Sequence, residues 1–259
     1  MNDLGNRRVI VTGAARGIGA ELVRGLVAQR ARVVAMDVRD DAGRALVASF
    51  SDAHCTYLHC DVSQKREVEA SFETAVKELS GLDVLVNAAG RDRPGPAPED
   101  IPEEDWDYLF AIDAKGTFLT NQVACRTMKA QGTGGAIINF GSIAGVRGMH
   151  ERAAYSAAKG AVHAWTRAAA QAWGRYGITV NAIAPIMATE VAQKFIDSLD
   201  APARAAMEAE AKARIPMGGR MGDPATDLVP FLLFLASPAA SYITGQTLAV
   251  DGGMMMLGS

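Results

Sequence analysis

Tyr155 and Lys159 lie four residues apart in the run Tyr155-Ser156-Ala157-Ala158-Lys159, whose Ala content predicts a helix. On a helix, a spacing of four puts both side chains on one face, about 6 Å apart along the axis. A phenol and an ammonium held side by side can do proton chemistry. A free phenol titrates near ~10, and an adjacent cation stabilises its phenolate, moving the group toward exchange at neutral pH. Ser142, at the end of an apolar run that reads as a strand, is suited to orient a carbonyl or alcohol oxygen beside the pair. Tyr/Lys pairs at this spacing also recur on solvated helix faces, so the rest of the chain must decide.

The chain has 259 residues, 49% of them hydrophobic and 21% charged, enough to bury one full core. A formal charge of -3 without a basic block points to a small-molecule partner, away from nucleic acid and anionic membranes. The stretch Met1 to Arg8 lacks an apolar h-region, and no run of about 18 apolar residues follows, so neither a signal peptide nor a membrane span is expected. A cytoplasmic location is the expectation. The cysteines Cys55, Cys60 and Cys125 are odd in number, as in a reducing compartment. In the run His54 to Cys60, a strand would put Cys55 and His59 on one face and His54 and Cys60 on the other, too far apart for one ion, so no metal site is expected.

The elements that position the Tyr/Lys pair alternate. Arg8 to Thr12 reads as a buried parallel strand, followed by Gly13-Ala14-Ala15-Arg16-Gly17-Ile18-Gly19 and a helical pattern. Glycines there admit unusual backbone angles and let a pyrophosphate approach the amides of a helix N-terminus. The spacing is G-x-x-x-G-x-G, not the G-x-G-x-x-G of the usual dinucleotide fingerprint. A second apolar run, Arg32 to Met36, ends at Asp37, placed to bind a ribose 2'-hydroxyl and favour NAD over NADP; a helix cap or loop carboxylate is the alternative. Arg16 and Arg39 are the competing signal for a 2'-phosphate. A helix around Ala42 to Phe50, a strand to Asp61-Val62, a helix from Gln64 to Leu79 and a strand from Val84 into Asn87-Ala88-Ala89-Gly90 continue the pattern. Such alternation predicts an α/β fold: one doubly wound, Rossmann-like parallel sheet of about seven strands with helices on both faces, in a single domain over 1-259. Ligands of such sheets sit beyond the C-terminal strand ends, where Gly13, Asp37, Asp61, Asn87 and Ser142 fall.

One long helix is expected from Pro102 to about Lys129, with Trp106, Phe110, Asp113, Thr117 and Ala124 on an apolar stripe. Asp113 on that stripe either lines a wet pocket or meets a cation, for which Lys159 is the candidate. Beyond the strand Ile137 to Gly141, the Tyr155 helix carries one stripe with Val162, Thr166 and Trp173. A second stripe of Ala154, Ala158, Ala161, Trp165, Ala168 and Ala172 is suited to pack on another subunit. After a sixth strand, Thr179 to Pro185, the segment from Thr189 to Arg214 reads as helical, polar and Ala-rich. It is either a substrate lid at about 187-216 or an ordinary surface helix. Pro230 should kink the helix Asp227 to Leu235 or mark its late start. A final strand, Thr247 to Asp251, precedes Met254-Met255-Met256, expected to pack on a neighbouring subunit.

Thr12 to Gly19, Asp61, Asn87 to Gly90, Ser142, Tyr155-x-x-x-Lys159, Asn181, Pro185 and Gly245-Gln246 to Gly253 together resemble the short-chain dehydrogenase/reductase family over nearly the whole chain. The resemblance implies an NAD(H)-dependent oxidoreductase interconverting a secondary alcohol and a ketone, usually as a homotetramer. It makes Tyr155 the acid/base, Ser142 the residue that orients the substrate oxygen, and Lys159 the group that binds the nicotinamide ribose and lowers the Tyr155 pKa. It places Asn87, Ala88 and Gly90 along the cofactor with Gly13, Arg16, Gly17, Ile18 and Gly19. Asp61 and Val62 fall at the adenine, Pro185 at the nicotinamide side and Thr189 near the carboxamide.

Two positions depart from the family's pattern. Asp113-Ala114-Lys115-Gly116 stands where the family usually has an Asn-led motif, which bears on the proton relay. Pro185-Ile186 replaces the usual Pro-Gly and narrows the nicotinamide side. Alternative functions are a 3-oxoacyl-thioester reductase, a catalytically silent nucleotide-binding regulator, and a methyltransferase. Neither of the last two explains Ser142, Tyr155 and Lys159 together. Arg91, Arg93, His150 and Arg152 are candidates to border the pocket mouth and recognise an acidic or phosphate-bearing substrate; alternatively they are solvated or pair with Asp92, Glu99 and Glu151.

Overall fold

Each predicted strand is a short run of β-branched and apolar residues, and in the computed structural model these runs are the interior of one sheet. The structure describes residues 4–51 and 54–255. Met1 and Met256, on which two of the sequence expectations partly rest, lie outside them. The chain begins with β1 (Arg8–Thr12), α1 (Gly17–Ala28), β2 (Arg32–Asp37), α2 (Asp40–Ala48) and β3 (Cys55–His59). It continues through α3 (Lys65–Leu79), β4 (Val84–Asn87), α4 (Glu103–Leu109), α5 (Gly116–Gln131) and β5 (Gly135–Phe140). The short α6 (Ala144–Arg147) precedes the long α7 (Ala153–Trp173) and β6 (Ile178–Pro185). The last elements are α8 (Glu190–Ser198), α9 (Ala201–Arg214), α10 (Val229–Leu235) and β7 (Thr247–Val250). Among the described residues all seven strands pair in parallel in the order β3-β2-β1-β4-β5-β6-β7.

The period-two alternation of a strand divides its side chains between two cores. Val9, Val11, Val33, Ala35, Val84, Val86 and Ile138 face α1 and α10. Ile10, Val34, Met36, Leu85, Ile137 and Val180 face α3, α5 and α7. Burial on both faces is why these runs read as continuous apolar segments. Cys55 and Cys60 go to opposite cores, and burial pushes both thiols up to about 12, which makes them packing residues and not nucleophiles. The direction of strand addition reverses between β1 and β4. Gly13 and Asn87 leave the sheet side by side there, at the crevice where ligands of such sheets bind.

Several boundaries differ from the sequence expectation. The helix expected over 102–129 is interrupted by a π-helical turn, Phe110–Lys115, between α4 and α5. The extra residue per turn rotates the faces: Asp113, Thr117 and Ala124 stay buried, while Trp106 is 41% exposed and stacks on Phe110 at 4.6 Å. β3 stops at His59, short of Asp61-Val62, and α2 starts and ends two residues before the predicted span. The segment 189–214 is two helices. Asp200 caps the second by accepting from the Ala203 N–H, and Pro202 occupies its first turn. Pro230 marks a late start: α10 begins at Val229, after a π-turn over Pro224–Leu228. On the small-residue stripe of α7, Ala154 and Ala158 are buried and Trp165 packs edge-on against Phe118 and Trp173, while Ala168 and Ala172 are exposed.

Beneath the crevice runs a buried polar network that sequence reading did not foresee. Asn139 on β5 accepts from Asn87 Nδ2 and Asn121 Nδ2, both at 2.9 Å. Its own Nδ2 donates to Asn121 Oδ1 at 3.1 Å and Thr166 Oγ1 at 3.0 Å. Thr12 Oγ1 donates to Asn87 Oδ1 at 3.3 Å, and Trp165 Nε1 donates to Asn121 Oδ1 at 3.0 Å. One chain of hydrogen bonds thereby joins β1, β4, β5, α5 and α7. Truncating its centre strands several buried donors and acceptors, each costing about 1–3 kcal/mol. Asn139→Ala is accordingly expected to lower unfolding free energy by about 3–5 kcal/mol, read from urea unfolding.

Candidate active site

Lys159 is 4% exposed at the second turn of α7, where an ammonium is tolerated only with partners. Its Nζ lies 2.8 Å from Asp113 Oδ1 and donates to the Phe140 carbonyl at 2.8 Å. Asp113 is fully buried, so the cation proposed for it from sequence is the one it meets. The π-helical turn is what points its carboxylate inward, and Gly90 makes room: a Cβ there would stand 2.7 Å from Asp113 Oδ1 and 3.1 Å from Lys159 Nζ. Burial lowers the Lys159 pKa, but Asp113 and Tyr155 outweigh it, so the group stays firmly charged, above the ordinary lysine value.

One turn earlier, Tyr155 sits with its ring centroid 5.7 Å from Lys159 Nζ and its hydroxyl near enough to Ser142 for that side chain to favour its phenolate. Burial pushes its pKa up, while Lys159 and then Ser142 pull it back without reversing the shift. The expectation of a net lowering is corrected here: desolvation of the phenolate outweighs one neighbouring cation whose charge Asp113 already partly cancels.

Ser142 itself is positioned by a residue the sequence reading passed over. His163, at one further four-residue step along the face of Tyr155 and Lys159, is 3% exposed. Its Nε2 lies 2.9 Å from the Ser142 carbonyl oxygen and 3.3 Å from its amide, and its Nδ1 lies 3.1 Å from Thr247 Oγ1. Gly141 is small because His163 fills its Cβ space, with the ring only 2.2 Å from that position. Burial lowers the His163 pKa and favours the neutral ring, and the 2.9 Å approach of Nε2 to the Ser142 carbonyl oxygen suits a tautomer that donates there and accepts from Thr247 at Nδ1. The available signal was this spacing of eight from Tyr155. For Asn121, Asn139 and Thr166 it was polar groups inside otherwise apolar elements.

The Gly-rich turn fits a dinucleotide. Gly13 has φ +67 and a Cβ on it would strike Ala89 N at 2.5 Å; Gly17 has φ +55 and open space where a side chain would project. A Cβ on Gly19 would meet Gly13 O at 2.1 Å, so this glycine lets helix and turn close together. Arg16, the residue before α1, makes no side-chain cap, which leaves the first amides available to an anion. A cleft of about 380 Å³ runs from Ala15, Arg16 and Gly17 to Ala188 and Thr189, whose hydroxyl caps α8 by accepting from Ala192 N. Asp37 Oδ2 accepts from Ala15 N and Oδ1 from Arg39 N, both at 3.0 Å, and each oxygen keeps a lone pair for a ribose hydroxyl. Asp61 accepts from the Ser63 N–H and hydroxyl, while the Val62 side chain turns inward against Gly116. Ala88 is half-buried beside Asn87, and Ile18 packs on the core below the turn. Pro185 closes β6, and the Ile186 amide continues that strand by donating to Val250 O at 3.0 Å. Among the described residues no group of three or more His, Cys, Asp or Glu is arranged to hold a metal ion.

The cationic rim is different from the acid-binding arrangement considered from sequence. Arg152 pairs with Asp92, Arg93 with Asp105 at 2.6 Å, and His150 contacts Glu151 at 3.2 Å. Arg152 is neutralised by Asp92, as the alternative supposed, and Arg93 by Asp105, which it did not include; His150 meets Glu151, also as supposed, while Arg91 has no ion-pair partner among the described residues.

The buried pair sets an expectation of its own. Asp113→Ala leaves an ammonium buried without its counter-charge and should cost about 3–5 kcal/mol in urea unfolding at neutral pH. Asp113→Asn keeps an acceptor for Lys159 and should cost clearly less in the same measurement.

The sequence model of a family described as enoyl-(acyl carrier protein) reductase matches residues 13–255. Among curated proteins, a 2,5-dichloro-2,5-cyclohexadiene-1,4-diol dehydrogenase of Sphingobium indicum is 35% identical over 98% of this chain and 98% of its own. A sorbitol dehydrogenase of Cereibacter sphaeroides is 38% identical, over 98% of this chain and 99% of its own. An NAD-dependent glycerol dehydrogenase of Listeria innocua is 36% identical, over 94% and 92%. With likeness of this extent added to a Tyr155-Lys159-Ser142 centre at the open end of a doubly wound sheet, the chain belongs to the short-chain dehydrogenase/reductase family.

Proposed function

We propose that the chain is an NAD-dependent alcohol dehydrogenase that interconverts a secondary alcohol and a ketone. The observation that carries the reading is the convergence of the Tyr155 hydroxyl, Ser142 and a Lys159 ammonium locked by Asp113. A bound nicotinamide supplies the hydride acceptor for oxidation and the hydride donor for reduction. In oxidation the Tyr155 oxygen, as phenolate, takes the substrate's hydroxyl proton while Ser142 holds the same oxygen by a hydrogen bond. In reduction the resting phenol returns that proton to the ketone oxygen. Lys159 stabilises the phenolate, and the Phe140 carbonyl and Asp113 fix where its charge sits. The third Lys159 hydrogen is left for a ribose hydroxyl.

The preference for NAD rests on Asp37, whose carboxylate, anchored by two backbone amides, accepts from a ribose 2'-hydroxyl and repels a 2'-phosphate. Arg16, turned away from ion pairing, lies in the field of Arg39 and Arg91 and is the opposing influence. Helices α8 and α9 are mostly exposed and stand beside the cleft at Thr189, which suits a lid closing over substrate. The exposed part of the α7 stripe and the neighbouring Phe118 suit assembly into a homotetramer. Among the described residues no helix is long and apolar enough to cross a membrane, and a cytoplasmic location completes the reading.

Tyr155→Phe removes only the proton-transfer group, so alcohol-dependent absorbance at 340 nm should fall at least about 100-fold while NAD affinity, measured by calorimetry, is retained. Residual turnover above about a tenth of wild type would remove Tyr155 from the role. Asp37→Ala should bring the dissociation constants for NAD and NADP closer together, because a hydroxyl acceptor and a repulsive charge leave at once. An unchanged ratio of the two constants would contradict the assignment of Asp37.

A further inference from the structure

The segment after Gly90 is laced across the reaction centre. The Arg91 amide donates to both carboxylate oxygens of Asp113, at 3.3 and 3.2 Å. Asp92 therefore projects from backbone anchored on the residue that holds Lys159. Its carboxylate pairs with Arg152, which stands at the start of α7, three residues before Tyr155. A second tie, Gly95 N to Glu151 O at 3.0 Å, holds the same two segments together. The negative charge of Asp92 is felt at both Tyr155 and Lys159, raising the pKa of each, so this carboxylate stands within electrostatic reach of the reacting hydroxyl. Outward opens a cavity of about 510 Å³ lined by Arg91, Asp92, Arg93, Glu104, Asp105 and Tyr108.

The charges on this wall decide what it accepts. Three carboxylates and two guanidiniums line the cavity, and the pairs Arg93–Asp105 and Arg152–Asp92 cancel within the chain. Among the described residues Arg91 and Glu104 are the lining charges left without a pair, so an anion drawn to Arg91 would share the cavity with the unpaired Glu104 and with the carboxylates of both pairs. Hydroxyl groups, in contrast, donate to a carboxylate and accept from a guanidinium without breaking either pair. We propose that the substrate is a neutral polyhydroxylated alcohol, and that Asp92 accepts a hydrogen bond from the hydroxyl next to the carbon being oxidised, with Arg152 holding the carboxylate in place. The assignment rests on the reading of Tyr155 as the acid/base. It agrees with curated relatives named as sorbitol, glycerol and D-threitol dehydrogenases, each at 36–38% identity.

The test compares substrates that differ by one hydroxyl within each variant, so that the fraction of active protein cancels. Catalytic efficiencies of the full chain with NAD and with NADP are measured for butane-2,3-diol against butan-2-ol, for cyclohexane-1,2-diol against cyclohexanol, and for 3-hydroxybutanoate. Wild type should prefer each diol at least about tenfold, the scale of one charge-assisted hydrogen bond. Asp92→Ala should bring the ratio close to one. Asp92→Asn, which keeps the shape but not the charge, should lower it severalfold and serves if the alanine variant does not fold. A wild-type ratio near one, a diol preference that survives both substitutions, or a preference for 3-hydroxybutanoate overturns the proposal while leaving the alcohol dehydrogenase reading intact. Absence of turnover for every alcohol with either cofactor overturns both.

Discussion

An ammonium and a carboxylate removed from water each lose several kcal/mol of hydration, and Lys159 and Asp113 are almost wholly removed. Their mutual attraction repays this only where the geometry is good and the remaining hydrogen-bonding capacity is used. Both conditions are met here by backbone: the Phe140 carbonyl takes one Lys159 hydrogen, and the Arg91 amide donates to Asp113. Most of the local oddities follow from accommodating this pair. The helix between α4 and α5 widens into a π-turn at Asp113, Gly90 gives up its side chain, and the strand β5 ends where its last carbonyl can meet Nζ.

Such a pair also fixes the electrostatics of its neighbours. Tyr155 is held between burial, which opposes its phenolate, and a cation whose field Asp113 reduces. The balance favours the neutral phenol, with Lys159 opposing burial and Asp113. An Asn at position 113, as the related pattern has, would leave the Lys159 charge less compensated. The aspartate therefore weakens how strongly Lys159 favours a Tyr155 phenolate.

The architecture was legible because a sheet buried on both faces writes itself as uninterrupted apolar runs, and because Gly13, Asp37, Asn87 and Ser142 mark the ends of four of them. Asp113 was legible as an anomaly, a charge on an apolar stripe, and its partner followed from that. The π-turn was not, since one residue inserted into a helix leaves no compositional trace, and Trp106 was placed on the wrong face for this reason. His163 and the Asn139 network were missed because their meaning lies in contacts between distant segments: Ser142 with Thr247 in one case, Asn87 with Asn121 and Thr166 in the other. The sign of the Tyr155 shift was missed because burial depth cannot be read from helical spacing. Pairing of the rim was legible as one of two alternatives, but Asp105 as the partner of Arg93 was not, as it depends on how a loop folds back on α4.

Every polar atom of the Asn139 side chain has a partner inside the protein, and those partners in turn depend on it. Mutual dependence of this kind constrains evolutionary drift. An apolar replacement at Asn139 unpairs groups on Asn87, Asn121 and Thr166 together, whereas one at Asn87 or Thr166 removes a single bond to Asn139, so the constraint is concentrated at the centre of the network. The segment at 190–214, mostly exposed, carries no such buried network. Side chains there can change without unpairing the buried groups beneath the crevice, whose replacement at Asn139 would unpair several at once.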